Sequence, residues 1–269
     1  MKFNTFLINM DKSTERLSYM TMQLNDCEIS FTRQPGVDGK TYDFTGVYYD
    51  EVSRRQNGST LALVEKGCAM SHRLVLEQAR AQHLDYVLIL EDDVEIPTNF
   101  KLIIDEVLHD REAGKTSWEY LAFNYPTVGF KFIKLWFFLL NEQFKKAPSL
   151  SLYLRIPIFV IKGLLLSILS IWEGLRDVVY KKMYTYGKPG KFYRPIYLAG
   201  CYLVTKKGIE KLLEVQSSII YPADRIQNVA RIRNGLRLYH FIPLLVKQRR
   251  DKFESTMYNN KDYVFSRYD

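Results

Sequence analysis

The spacing of apolar and polar positions predicts that the chain opens with a strand, a helix and a second strand. Residues Phe3 to Asn9 are apolar and rich in strand formers, so they predict the first strand. Leu17, Met20 and Leu24 then recur at the spacing of one helix face. Ile29 to Arg33 predicts the second strand. This β-α-β opening indicates an α/β sheet.

A short apolar run followed by three acids is the most informative pattern in the chain. Residues 86–90 are apolar or aromatic, and Glu91, Asp92 and Asp93 follow at once. Such a run predicts a strand buried on both faces, so the acids lie at the carboxyl end of a central strand, where open α/β sheets bind ligands. Adjacent carboxylates repel one another. Either a hard divalent cation holds them together or they form a solvated acidic turn.

The remaining patterns alternate between helices and strands, and one polar, aromatic stretch, Thr41 to Gly58, is expected to be an irregular loop. Predicted helices and strands follow in this order: helix 61–82, a helix from Pro97, strand 118–124, strand 196–205, helix 206–215, a helix through Ile226 and Val229, and strand 238–246. Neither a Gly-x-Gly-x-x-Gly sequence nor a phosphate loop is present, so the usual dinucleotide and ATP fingerprints are absent.

Composition and charge set further limits. The 269 residues suffice for one large α/β domain or two small ones, and a hydrophobic content of 47% is ordinary for a globular protein. Residues 131–191 contain eleven basic and three acidic side chains, and this excess equals the net charge of +8. Three cysteines make an odd count, which argues against a secreted disulfide framework. The amino terminus lacks the apolar length of a signal peptide, so a cytoplasmic location is expected.

The basic segment also contains the longest apolar run. Residues 156–172 are almost wholly apolar, but they are shorter than a bilayer span of about 20 residues. Basic residues flank the run, which favours a helix that lies in a membrane interface over a buried core helix or an oligomer contact. A nucleic-acid-binding role, which the isoelectric point near 9.2 would allow, has no recognition motif to support it.

Five segments, in order, resemble the family-25 glycosyltransferases of lipooligosaccharide biosynthesis. Met70 stands where that family has Leu, and Asp224 falls where it places a further Asp after a Pro. The resemblance does not cover residues 130–186, which look like an insertion. The five segments are 7–16 (LINMDKSTER), 37–40 (VDGK), 67–72 (GCAMSH), 88–94 (LILEDDV) and 199–208 (AGCYLVTKKG).

The resemblance implies an α/β fold of the glycosyltransferase-A type, with a mostly parallel sheet flanked by helices and a helical insertion. It divides the chain into a donor- and metal-binding part (1–129), a membrane-associating insertion (130–190) and an acceptor-side part (191–269). It implies a UDP-hexose donor (galactose or glucose), a divalent cation such as Mn²⁺, and a lipooligosaccharide acceptor on the inner face of the cytoplasmic membrane, with transfer by inversion. The alternative is a non-catalytic membrane-associated scaffold that retains the fold.

The resemblance also assigns roles to residues. Glu91 and Asp93 would contact the metal, although the family pattern Asp-x-Asp has Asp where Glu91 stands, which favours Asp93. His240 is either a third metal ligand or a packed strand histidine. Asp224 is either the general base or the N-cap of a helix.

A further set of residues is expected to bind the nucleotide-sugar donor. Within this set, Arg16 is either a phosphate ligand or a surface residue, Asp38 either binds the nucleoside or caps a turn, and His72 either faces the donor or makes a local hydrogen bond. The full set is Asn9, Asp11, Arg16, Asp38, Gly39, Ser71, His72 and Asp92.

Overall fold

A computed structural model describes residues 2–124, 188–191, 198–242, 244–249 and 252–253. All of them belong to one compact unit, Met1–Tyr125 together with Lys188–Asp269. Residues 130–187 of the expected helical, membrane-associating insertion lie outside the described residues, and the proposed domain boundaries stay a prediction. The last residues of that predicted insertion, 188–190, belong to a strand of the central sheet. No helix in the described part of the chain is long and apolar enough to cross a bilayer.

The strands and helices alternate along the chain. The strands are β1 (Asn4–Asn9), β2 (Thr32–Pro35), β3 (Tyr86–Glu91), β4 (Val94–Glu95), β5 (Tyr120–Ala122), β6 (Lys188–Lys191), β7 (Cys201–Thr205), β8 (Leu238–Ile242) and β9 (Lys247–Gln248). The helices are α1 (Thr14–Asp26), α2 (Asp50–Asn57), α3 (Leu63–Ala81), α4 (Phe100–Glu112), α5 (Lys206–Val215) and α6 (Ala223–Arg233).

A seven-stranded sheet in the order β2-β1-β3-β7-β5-β8-β6 forms the centre of the unit. Strand β1 pairs in parallel with β2 and β3, and β5 pairs in parallel with β8. Strand β7 pairs antiparallel with β3 and β5, and β6 pairs antiparallel with β8. Within this sheet, only β6 and β7 therefore oppose the direction shared by the other described strands, and the expected mostly parallel sheet is confirmed.

Helices cover both faces of the sheet, because alternate strand residues point to opposite sides. Val87 and Ile89 pack with residues of α3 and α5, such as Val75 and Leu212. Leu88 and Leu90 of the same strand pack on the other face with residues of α1 and α4, which include Met20, Leu24, Phe100 and Ile104. Strand β3 is the third of seven strands and is covered by helices on both faces. Its carboxyl end therefore lies in the interior of one edge of the sheet and not at a corner.

Three sequence predictions need correction. The stretch 41–58 is not wholly irregular, because residues 50–57 form α2. This helix has Asp50 and Glu51 in its first turn and ends at Gly58, whose φ of 77° suits glycine at a helix end. The second strand begins at Thr32, three residues later than predicted. The strand predicted at 238–246 ends at Ile242, and Lys247–Gln248 forms a separate strand that pairs with β4.

Candidate active-site cavity

A cavity of about 410 Å³ opens at the sheet edge where β1, β2 and β3 end. These three strands are parallel, so the loops that follow them meet at this edge. The loop after β1 and the start of α1 form one wall, the loop after β2 a second, and α3 a third. The acids after β3 complete the lining. This is the edge where α/β sheets bind ligands.

Two glycines bring the loop after β2 into contact with α3. A Cβ atom on Gly39 would lie 1.8 Å from the Leu63 carbonyl oxygen, and one on Gly67 would lie 2.4 Å from that of Val37. Both positions therefore require glycine for the close approach of the two backbones. Ser71 adds a polar link, because its Oγ accepts a 2.8 Å hydrogen bond from the Val37 N–H and donates one to the Gly67 carbonyl.

Asp92 uses both carboxylate oxygens to hold the cavity wall together. Asn9 donates a 2.7 Å hydrogen bond to Oδ2, and Arg16 donates a 3.1 Å hydrogen bond to Oδ1. Burial is the main reason that the pKa of Asp92 is raised, and the bonds from Asn9 and Arg16 oppose that rise. Arg33 holds the other end of the Asn9 amide, because Arg33 Nε donates a hydrogen bond to Asn9 Oδ1. Asp92 thus supports the ends of β1 and β3.

The carboxylate of Asp93 accepts fewer hydrogen bonds than that of Asp92. Gln248 donates a 2.9 Å hydrogen bond to its Oδ2, but Oδ1 is buried and has no hydrogen-bond partner among the described residues. Burial and then the charge of Glu91 raise the pKa of Asp93 to about 6. A buried carboxylate oxygen without a donor is costly, and a cation would offset that cost.

Glu91 faces α3 and contacts two of its side chains. His72 Nε2 lies 3.1 Å from Glu91 Oε1, and Cys68 Sγ lies 3.8 Å from the same oxygen. The other ring nitrogen of His72 is 3.0 Å from the Tyr202 hydroxyl. Burial and then the charge of Glu91 raise the pKa of the Cys68 thiol. The three acids therefore have different environments: Asp92 faces α1, Glu91 faces α3, and Asp93 lies between them and the strand β9.

The donor set fits a hard divalent cation. Asp93 Oδ1 is the unpartnered buried oxygen, and Glu91 supplies a second carboxylate that raises the pKa of Asp93 by its charge. Carboxylate oxygens are the ligands that Mn²⁺ prefers. Asp92, whose two oxygens already accept hydrogen bonds from Asn9 and Arg16, is the least available of the three acids.

Most of the predicted site residues lie together at this edge. Arg16 is largely buried, with a side chain 13% exposed, and is not a solvated surface residue. One oxygen of Asp38 caps the local turn by accepting from the Lys40 N–H, and the other lies 3.9 Å from Lys12 Nζ. The predicted residues that line the cavity are Arg16, Asp38, Gly39, Ser71, His72, Glu91, Asp92 and Asp93.

Four predicted residues are not in the cavity lining: Asn9, which binds Asp92 behind the wall, Asp11, His240 and Asp224. Asp11 is 81% exposed and pairs with Arg33. His240 is buried on β8, in register with Ile89, and the strands β7 and β5 lie between β8 and β3. The structure does not bring His240 together with the acids. Asp224 lies in the first turn of α6, near enough to Cys68 for its charge to raise the pKa of that thiol.

The lining residues that sequence reasoning missed include Lys12, Lys40, Cys68 and Gln248. Cys68 precedes His72 by four positions, and that spacing on a helix places both on one face, so it was a usable signal. Lys12 and Lys40 bring positive charge to the cavity mouth beside Asp38. Gln248 follows the last long strand and could not have been located without the tertiary fold.

The fold and cavity define an α/β protein with a ligand site at the carboxyl ends of parallel strands and an acidic cluster in its wall. The family model described as glycosyltransferase family 25 (LPS biosynthesis protein) matches residues 2–227. The chain therefore belongs to glycosyltransferase family 25, and the resemblance predicted from the five segments is confirmed.

Similar curated proteins match part of the chain. The human inactive glycosyltransferase 25 family member 3 is 32% identical over 124 residues, which are 42% of this chain and 20% of the human protein. Procollagen galactosyltransferase 1-A of Xenopus laevis is 28% identical over 120 residues, which are 42% of this chain and 20% of the Xenopus protein. The matched region is thus about a fifth of the length of these relatives. A solved glycosyltransferase involved in glycosylation of the major capsid of PBCV-1 aligns over 90% of this chain and 83% of that chain, with 10% identity and a TM-score of 0.38.

Proposed function

We propose that the chain is a metal-dependent glycosyltransferase that moves a hexose from a nucleoside diphosphate sugar to a glycan acceptor. The carrying observation is the unpartnered buried oxygen of Asp93, which lies at the carboxyl end of β3 and lines the cavity. Membership of glycosyltransferase family 25 supports the reaction class. The size and lining of the cavity support a nucleotide-sugar donor, because it offers both cations and acids to a charged, polar ligand.

In this proposal Asp93, with Glu91, would hold a divalent cation such as Mn²⁺. When bound, that cation would neutralise charge on the leaving nucleoside diphosphate. Lys12 and Lys40 at the cavity mouth would add positive charge for the diphosphate. Arg16 and Asn9 would act indirectly, because both hydrogen-bond Asp92 and so keep the loop after β3 in place.

Asp38 Oδ2, which lies 3.9 Å from Lys12 Nζ, would bind the nucleoside. Its other oxygen accepts the Lys40 N–H, so the turn holds the carboxylate at the cavity wall. Gly39 and Ser71 would fix this wall on α3. The loop after β2 is therefore the proposed nucleoside side of the cavity, and the acids after β3 are the diphosphate side.

Asp224 would be the general base that takes the proton of the acceptor hydroxyl during an inverting transfer. Two observations support this role: Asp224 lies outside the proposed donor cavity, and its charge acts on Cys68 in the cavity wall. An acceptor that approaches from α6 would reach the donor from the side of Cys68 and His72. His240 has no role in this proposal, because β7 and β5 lie between its strand β8 and the acids after β3.

The acceptor class is proposed from the basic segment, because two comparisons name different acceptors. The matching family is described by lipopolysaccharide biosynthesis, whereas the Xenopus relative is named for procollagen. We propose a lipooligosaccharide acceptor, because the basic, apolar segment 131–191 suits an anionic membrane surface. Flotation of the full chain with anionic vesicles tests the membrane contact, and deletion of residues 130–186 should abolish it. Equal flotation of the deletion variant would contradict the contact and the proposed location on the inner membrane face.

A panel of nucleotide sugars tests the reaction. The full chain, freed of metal with EDTA, is incubated with UDP-galactose, UDP-glucose and other donors, with and without Mn²⁺. We expect Mn²⁺-dependent release of UDP from a UDP-hexose and hexose transfer to deacylated lipooligosaccharide but not to a collagen peptide. Release that is absent with every donor would overturn the proposal and favour the non-catalytic scaffold, a role consistent with the name of the inactive human relative.

A further inference from the structure

We propose that Cys68, His72 and Glu91 form a binding site for a thiophilic divalent cation of the Zn²⁺ class. Each residue offers one ligand atom, and the three atoms lie within 4.8 Å of one another. Glu91 Oε1 is 3.1 Å from His72 Nε2 and 3.8 Å from Cys68 Sγ. A thiol, an imidazole and a carboxylate form a donor set that zinc commonly binds.

The distances suit a common tetrahedral centre. Zinc bond lengths are about 2.3 Å to sulfur and about 2.0–2.2 Å to nitrogen and oxygen, so tetrahedral ligand atoms lie roughly 3.3–3.7 Å apart. The two measured separations lie on either side of that range. All three ligand atoms lie within 4.8 Å of one another, so rotations of the side chains can bring them around one cation without a change in the backbone.

The backbone positions of the three ligands are well fixed. Cys68 and His72 lie one turn apart on the same face of α3. Glu91 ends β3, and its N–H donates a 2.8 Å hydrogen bond to the Gly200 carbonyl. A site on rigid helix and strand positions needs little ordering when a cation binds.

Tyr202 provides the supporting contact that zinc-bound histidines usually have. A metal-ligating histidine donates its other ring N–H to an oxygen. The Tyr202 hydroxyl lies 3.0 Å from His72 Nδ1, and stacking on Tyr120, with ring centroids 4.5 Å apart, holds the Tyr202 ring. A hydroxyl can donate or accept, so Tyr202 can accept from Nδ1 when Nε2 binds the cation.

This site differs in kind from the proposed Mn²⁺ site. It includes a sulfur, whereas the oxygens of Asp93 suit a harder cation. The three ligands all line the cavity, so the fourth position of a tetrahedral cation would face the cavity and take water or a ligand atom. The two sites share Glu91 and therefore compete for it.

Cobalt spectroscopy tests the site without any nucleotide sugar. The full chain, with affinity tags removed and metal stripped, is titrated with Co²⁺ and then with Zn²⁺. We expect a thiolate-to-cobalt charge-transfer band that saturates at one Co²⁺ per chain and disappears when Zn²⁺ is added. Cys68→Ser should remove the band, whereas Cys27→Ser, which changes a buried thiol next to α4, should keep it. Tyr202→Phe should weaken Co²⁺ affinity by about tenfold or more.

Two results would overturn this inference: no charge-transfer band in the unaltered chain, or a band of equal strength in Cys68→Ser. The unaltered chain is sufficient for the first result, so a variant that fails to fold does not block the test. The outcome is separate from the proposed transfer reaction. A charge-transfer band without hexose transfer would support this cation site and contradict the proposed function. Hexose transfer without a band would support the proposed function and contradict this site.

Discussion

Asn9 Nδ2 donates a 2.7 Å hydrogen bond to Asp92 Oδ2, and this bond joins the carboxyl ends of two neighbouring parallel strands. Asn9 is 1% exposed, and its other contacts are to the Ser13 carbonyl and to Arg33. The middle acid of the cluster therefore has a supporting role, which leaves its neighbours to meet a ligand.

Asn9→Asp should destabilise the protein at neutral pH. The change replaces the donor with a carboxylate that faces Asp92, and both charges are buried. We expect a loss of at least about 2 kcal/mol of unfolding free energy at pH 7 by urea titration. The loss should shrink as the pH is lowered, because one of the two carboxyl groups then takes up a proton and can donate it. The exposed Asn25→Asp should change stability by less than about 1 kcal/mol. Equal effects of the two substitutions would contradict the role given to Asn9.

Asp93→Asn should separate stability from activity. The pKa of Asp93 is raised to about 6 in the folded protein, so its protonated form stabilises the fold. That contribution is fully present below the unfolded pKa of about 4 and is lost as the pH rises through about 6. Two pH units correspond to roughly 3 kcal/mol.

In the metal-free chain we therefore expect Asp93→Asn to raise the unfolding free energy at about pH 8 by up to roughly 3 kcal/mol and to have little effect at about pH 4. The same variant should lose Mn²⁺-dependent UDP release and the Mn²⁺-induced rise in melting temperature. The exposed Asp26→Asn is the matched control and should change none of these. A metal-free variant that is less stable than the parent at pH 8 would show that the charge of Asp93 is already compensated in the fold.

Gly67→Ala should distort the donor cavity without changing any of the residues that line it. The added Cβ would lie 2.4 Å from the Val37 carbonyl and 2.8 Å from the Gly39 nitrogen, both backbone atoms. The loop after β2 must then move away from α3. We expect a loss of about 1–3 kcal/mol in stability and a raised KM for the nucleotide sugar.

Gly114→Ala provides the control for that experiment. Gly114 has a φ of 73° and no atom within 4 Å of an added Cβ, so its substitution costs about 1–2 kcal/mol through backbone strain alone. It follows α4 and does not line the cavity, and the KM for the donor should therefore not change. A KM that rises equally in both variants would mean that lost stability, and not the loop after β2, controls donor binding.

The sequence predicted the central strand and its acids well, because both are local features. The apolar run at 86–90 is too short for a typical helix and rich in strand formers, and a strand that ends in acids places them at a sheet edge. The different roles of Glu91, Asp92 and Asp93 could not be predicted, because they depend on the tertiary contacts of Asp92 with α1 and of Glu91 with α3. Helix α2 was missed since it buries little more than Ser53 and therefore lacks an apolar stripe.

The order of the strands in the sheet could not be predicted from local sequence patterns either. Strand β7 inserts antiparallel between β3 and β5, although more than 75 residues separate it from either along the chain. An apolar strand has the same pattern in both directions, so the sequence indicated its presence but not its orientation. The same insertion brings Tyr202 to His72, and His240 lies two strands further from the acids than a shared metal site would require.

Asp224→Asn tests whether the base lies on α6. We expect the rate of hexose transfer to fall by about 10²–10⁴-fold, because general base catalysis contributes that much. Binding of the donor and of Mn²⁺ should stay the same, since Asp224 does not line the cavity. Transfer kinetics at saturating donor, together with calorimetric titration of UDP in the presence of Mn²⁺, measure the two properties separately. A loss of UDP binding would instead place Asp224 with the donor, and unchanged transfer would assign the proton to another residue.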